Sequence, residues 1–155
     1  MQENDQIRAA KNPENPPTVM QMRSGIVVMS QSQFLPGYCL LLAYPQVSAL
    51  NDLSRQHRAE FLIAMGLIGE AIETVCKPGR INYAILGNKD PFLHAHIIPR
   101  YDWESSEFKT LPVWRYPDET WSNPQNEFSA EKHSELRDAI KQKLLELLKE
   151  ASYAG

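Results

Sequence analysis

Little in this chain calls for covalent or metal staples. It carries two cysteines, Cys39 and Cys76, both in apolar surroundings, and no Cys-x-x-Cys pair. Buried free thiols are expected rather than a disulfide or a zinc knuckle. Long apolar runs are missing as well: the longest, Tyr38 to Tyr44, is far short of the ~20 residues that span a bilayer and reads as a buried strand. Nor is there an excess of one charge. Sixteen Lys and Arg against 19 Asp and Glu leave a net −3, with half of the lysines in the terminal helical stretch, so a basic groove for nucleic acid is not expected. Residues 1–15 are polar and lack the apolar centre of a secretory signal. These absences point to the cytoplasm, with no membrane and no nucleic acid as partner. At 155 residues and 43% hydrophobic composition, one domain with a real core is expected.

Residues 1–24, rich in Asn, Gln and Pro, read as a loosely ordered arm with one short helical turn. Gly25–Ser30 is dense in β-branched residues and predicts a strand; Pro36-Gly37 breaks the chain, and Tyr38–Ala43 predicts a second strand, antiparallel to the first. Ser54 caps a helix to about Cys76, with Phe61, Leu62, Met65, Ile68, Ile72 and Val75 at helical spacing. Pro78-Gly79 closes it. Ile81–Leu86 and Leu93–Pro99 predict two more strands, separated by the turn-rich Gly87-Asn88-Lys89-Asp90. Residues 101–128, holding Trp103, Trp114 and Trp121, read as an ordered loop because large aromatic rings favour burial. Residues 129–152 predict a final helix capped by Ser129. The order is that of an α+β fold with an antiparallel sheet.

The chemistry concentrates in Pro91-Phe92-Leu93-His94-Ala95-His96-Ile97-Ile98-Pro99-Arg100, which holds two of the four histidines. On a strand, side chains alternate between faces. Phe92, His94 and His96 then share one face, the histidines roughly 6.6 Å apart. Two imidazoles on one rigid face, each neutral or charged near pH 7, can serve a single bound group.

With Gly87-Asn88 before it and Pro99-Arg100 after it, this run resembles the histidine triad (HIT) superfamily of nucleotide hydrolases and transferases, whose hallmark is His-φ-His-φ-His-φ-φ with φ apolar. Pro36-Gly37-Tyr38-Cys39-Leu40-Leu41-Leu42 is similar to that family's glycine-led second strand, Leu53-Ser54 to the start of its helix, and Asn82–Arg100 with Pro112-Val113-Trp114 to a bacterial branch. The resemblance covers about residues 25–115. It implies a sheet of about five strands, a long helix packed on it, a C-terminal helix and a homodimer. It also implies a nucleotidyl hydrolase or transferase acting on a nucleoside polyphosphate, dinucleoside polyphosphate or phosphoramidate. Its catalytic residues would be His94, the nucleophile that forms a nucleotidyl-histidine, and His96, a donor to a phosphate or leaving-group oxygen. Asn88, Asn82, Arg100, Tyr38 and Trp114 would contact substrate. No resident metal or cofactor is implied, and Mg²⁺ accompanying the phosphates stays open.

Three positions depart from the pattern. Phe92 stands where the first triad histidine belongs, Tyr38 where the second strand carries a histidine, and Gln46 where one precedes the helix. That first histidine normally orients the nucleophile, a task a phenyl ring cannot perform by hydrogen bonding. A nucleotide-binding sensor with weak catalysis is therefore the alternative of the same fold. A metal site built on His94 and His96 is a third reading; Glu104, the nearest following glutamate, lies beyond Pro99. Asn88 also suits a plain turn, Arg100 an acid partner, and Trp114 and Tyr38 the core. His57 and His133 read as solvated residues in the first turns of helices.

Overall fold

A computed structural model of the chain describes residues 2–151. Five antiparallel strands, β1 (Thr18–Gln21), β2 (Gly25–Met29), β3 (Cys39–Ala43), β4 (Arg80–Ile85) and β5 (His94–Arg100), form one sheet in the order β1-β2-β3-β5-β4. Helices α1 (Asp5–Ala10), α2 (Arg55–Cys76), α3 (Asp118–Ser122) and α4 (Ala130–Glu150) complete it. Residue 152, the last of the predicted final helix, lies outside the described residues. No helix among those described is long and apolar enough to cross a membrane.

The pleat divides the strands between two cores. Val27, Met29, Cys39, Leu41, Ala43, Ala95 and Ile97 face α2 and α4 and build the larger one. Helix α2 supplies Phe61, Ala64, Ile68 and Ile72, all fully buried. Its ends follow from local chemistry: Ser54 Oγ accepts from the His57 amide at 3.1 Å, and Lys77 adopts a left-handed conformation (φ 53°) at the C-terminus. Ser129 caps α4 in the same way through the Lys132 amide, and His133 Nδ1 accepts from the Ser129 amide at 3.0 Å. Cys39 and Cys76 are free thiols, only the first of them fully buried.

The opposite face carries Ile26, Val28, Leu40, Leu42, His94, His96, Ile98 and Arg100, as the strand registers require. Two structures cover it at opposite ends and leave the histidines between them. At one end α1 presses Ile7 and Ala10 onto Ile26, Val28, Leu42 and Phe92. At the other, the 101–121 segment packs on Leu35, Tyr38 and Ile98.

The loose order expected for residues 1–24 is thus corrected, while the short helical turn expected there is present as α1. Ile7 is completely buried, Asn4 caps α1 by accepting from the Gln6 amide at 2.7 Å, and β1 pairs with β2. Gln46 contributes here: its Oε1 accepts from the Asn4 amide at 2.6 Å, so it secures α1 rather than the site. The aromatic argument for the 101–128 loop holds for Trp121, which packs with Tyr116 on Phe34, and is corrected for Trp103 and Trp114, 63% and 43% exposed. An ion pair described below adds to the order.

If α1 is packed in this way, Ile7→Ala should cost about 2–5 kcal/mol, the range for emptying a buried aliphatic site. Urea unfolding would measure it, and a loss under about 0.5 kcal/mol, typical of surface changes, would return the arm to a loose state.

Candidate active site

His94 and His96 stand side by side on β5, ring centroids 5.2 Å apart, both half-buried. His94 Nδ1 lies 2.7 Å from the carbonyl oxygen of Phe92. A carbonyl only accepts, so Nδ1 carries a proton, and in the neutral ring the lone pair lies on Nε2. The Phe92 ring stacks on the imidazole at 4.5 Å and 26°. The Phe92 carbonyl and phenyl ring together hold this imidazole in place. That carbonyl is itself fixed, because the Phe92 amide donates to Asp90 O, the Leu93 amide to Val47 O, and the Ala43 amide to Leu93 O.

His96 has aromatic neighbours on three sides. Trp114 meets it edge to face at 4.8 Å, His94 lies on the second side, and the buried Tyr38 places its hydroxyl 2.8 Å from His96 Nδ1. Burial, aided by repulsion from His94, lowers the His96 pKa from 6.5 to about 4, so the ring is neutral near pH 7. Burial also pushes the Tyr38 phenol up. Trp114 stacks on Trp121 at 5.9 Å.

The other predicted contacts separate into two groups. Arg100 shares the histidine face but is sealed at its far end. Nε donates to both Glu104 carboxylate oxygens at 3.2 Å. Nη1 donates to Asn82 Oδ1 (3.1 Å) and Leu111 O (2.7 Å), and Nη2 to Glu104 Oε1 (2.9 Å) and Phe108 O (3.0 Å). All five guanidinium N–H groups are engaged, so the phosphate role expected of Arg100 is corrected to that of a buried clamp on the following loop. Glu104 also accepts from the Tyr116 hydroxyl and the Tyr101 amide, both at 2.6 Å. Burial raises the Glu104 pKa, yet the hydrogen bonds from Arg100, Tyr116 and Tyr101 outweigh it and leave the carboxyl below its ordinary value. Asn82 joins this clamp while lining the neighbouring cleft. Asn88 sits exposed in the turn before Phe92. Tyr38, expected to contact substrate, is 2% exposed and reaches the site only through His96.

Two cavities open on the histidine face of the sheet, neither of them lined by His94 or His96. One of about 730 Å³ lies between β4 and the 109–114 segment, lined by Asn82, Ala84, Ile98, Arg100 and Trp114 among others. It touches neither histidine directly, but Ala84 is the cross-strand partner of His96. The other, about 400 Å³, opens between α1 and Val28, Leu40 and Leu42; the two leucines pair with His96 and His94. Among the described residues, no group of three His, Cys, Asp or Glu side chains converges as a metal site would require.

Sequence reasoning missed the Phe92 carbonyl, Glu104 and Tyr116. Only Glu104 left a trace, as an acid four residues after Arg100.

Comparison with known proteins identifies the family and the fold. A family model for the HIT domain matches residues 12–103, and the chain belongs to that family. Its fold is similar to that of a histidine triad protein from Marinobacter aquaeolei, 19% identical with a TM-score of 0.68 over 94% of this chain and 97% of that one. A histidine triad protein from Bradyrhizobium japonicum is also 19% identical, with a TM-score of 0.66 over 92% and 97%. A diadenosine triphosphate hydrolase from Plasmodium falciparum is 17% identical, with a TM-score of 0.60 over 86% and 79%. No curated protein matches the chain by sequence.

The lowered His96 pKa has a sign. The unfolded ring takes up its proton near 6.5 and the folded ring only near 4, so the stability conferred by its neutral state is complete above 6.5 and lost as pH falls to about 4. The urea midpoint of the wild type, less that of His96→Asn, should shrink across that interval; a difference that stays flat contradicts the assignment.

Proposed function

We propose that this chain is a nucleotidyl hydrolase or transferase whose nucleophile is His94 Nε2. The supporting observation is the 2.7 Å bond from His94 Nδ1–H to the Phe92 carbonyl, which in the neutral ring puts the lone pair on the nitrogen remote from the backbone. A neutral imidazole is a competent nucleophile at pH 7 without a separate base. Its lone pair forms a bond to the α-phosphorus of a nucleotide; the P–O bond to the leaving group of an anhydride breaks and that oxygen departs with the electron pair, whereas in a phosphoramidate the P–N bond breaks and the nitrogen departs as an amine that takes up a proton from solvent. The ring becomes cationic as the N–P bond forms. The Phe92 carbonyl then accepts from a charged donor, a bond that strengthens along the reaction coordinate. In the second half, water or another acceptor attacks phosphorus, the N–P pair returns to Nε2, and the acceptor's proton passes to solvent.

The substrate class is a nucleoside polyphosphate, dinucleoside polyphosphate or nucleoside phosphoramidate. The cavity beside α1, walled by Val28, Leu40 and Leu42, suits a nucleobase, and the larger cleft with Asn82, Lys109 and Trp114 suits the departing group. Asn88 is assigned to a phosphate oxygen. This chemistry asks for no resident metal, and Mg²⁺ carried on the phosphates is compatible with it. A homodimer is proposed through the β4 edge of the sheet and α2, where Tyr83, Leu86, Leu62 and Ile63 are exposed. The two free thiols suit the reducing cytoplasm.

His94→Asn should lower turnover of an adenylated fluorogenic substrate by ~10³-fold or more, the scale seen when a covalent nucleophile is lost. Rapid-quench intact mass should show one nucleotidyl group on the wild type and none on the variant. Nucleotide binding without turnover by the wild type would instead establish a sensor, the reading that Phe92 in place of the first histidine favours.

A further inference from the structure

Tyr38 is among the largest fully buried side chains of the protein, enclosed by Leu35, Ile98 and Val113. A phenol in such a place needs an acceptor for its proton. Its hydrogen bond joins its oxygen to His96 Nδ1, 2.8 Å away and 58 residues distant in sequence. When the phenol donates, Nδ1 supplies a lone pair, and the single proton of the neutral ring sits on Nε2. His96 is then held in the tautomer opposite to that of His94, whose proton sits on Nδ1 facing the Phe92 carbonyl. One ring offers a lone pair and its neighbour, with centroid 5.2 Å away, offers an N–H.

Resting on the nucleotidyl-transfer reading of the site, we propose that Tyr38 is a positioning residue that holds His96 as a neutral Nε2–H donor, matched to a phosphoric anhydride rather than a phosphoramidate substrate. The reason is proton balance. A neutral imidazole N–H can steady a developing oxyanion by a hydrogen bond, but surrendering the proton would create an imidazolate. The rings of Tyr38, His94 and Trp114 surround His96, and none of them supplies the negative charge that would favour an imidazolium. A phosphate or polyphosphate leaves as an anion and needs only the hydrogen bond. An amine leaving group needs a full proton, which this ring does not hold in surplus.

The tautomers can be read without substrate, by long-range ¹H–¹⁵N correlation of the histidine rings in uniformly ¹⁵N-labelled protein near pH 7. Wild type should show His96 protonated on Nε2 and His94 on Nδ1. In Tyr38→Phe, His96 should lose that single tautomer while His94 keeps its own. Turnover of a dinucleoside polyphosphate by this variant should fall about 10- to 100-fold in kcat, below the full loss of an oxyanion donor, with KM within about twofold. Wild-type kcat/KM should favour the anhydride over a phosphoramidate of the same nucleoside. A wild-type His96 protonated on Nδ1 overturns the proposal even if Tyr38→Phe fails to fold, and so does a phosphoramidate turned over as fast as the anhydride. Correct tautomers in a protein that turns over neither substrate would sink the nucleotidyl-transfer reading and leave the positioning role of Tyr38 standing.

Discussion

The hydrogen bond from His94 Nδ1 to the carbonyl of Phe92 is the constraint on which the site depends. It spans two residues, so its geometry is set by the backbone where β5 begins. That backbone is tied on both sides, by the Leu93 amide to Val47 and by the Ala43 amide to Leu93. The Phe92 side chain is 3% exposed, wedged among Ile7, Ile26 and Leu42. Its burial anchors the carbonyl that holds the His94 ring. Phe92 joins two tasks: it seats α1 on the sheet and fixes the His94 ring. Packing at the N-terminus and tautomer at the site become one physical problem.

A second constraint works from the opposite end of β5. Arg100 directs every guanidinium donor inward, to Glu104, Asn82 and the carbonyls of Phe108 and Leu111. Burying an ion pair is costly unless its remaining donors and acceptors are satisfied, and here Tyr101 and Tyr116 complete the carboxylate's set. What the pair secures is shape. It folds the loop after β5 back on the histidine face and brings Trp114 edge-on to His96. The histidines lie between two covers of different origin, the apolar α1 and the polar-clamped loop, with a cavity beside each.

Much of this was legible in the sequence because its signals are local. The alternation through Leu93–Ile98 and the helical spacing from Phe61 to Val75 are periodic over enough residues to define β5 and α2, and Ser54 and Ser129 mark helix starts where the structure has them. The HIT membership was legible from the run around His94 and His96 together with the turn before it. What was not legible depends on long-range partners. Helix α1 has six residues, too few for periodicity, and it is ordered by Gln46 and the sheet rather than by its own propensity. Strand β1 follows two prolines and pairs only because β2 lies alongside. Arg100 read as either a phosphate ligand or the partner of an acid; Glu104 four residues on hinted at the second, but nothing in the linear order shows Phe108 and Leu111 folding back onto it. Tyr38 looked like a pocket or core residue because its partner is 58 positions away.

The central claim is that a phosphorus atom sits in front of the ring nitrogen of His94 that faces away from the backbone. A crystal of the His94→Asn variant soaked with a dinucleoside polyphosphate tests it directly. The account predicts the α-phosphorus opposite the residue 94 side chain, with a bridging oxygen within hydrogen-bond distance of His96 Nε2. A nucleotide bound in either cavity with its phosphates turned away from residues 94 and 96 would contradict it.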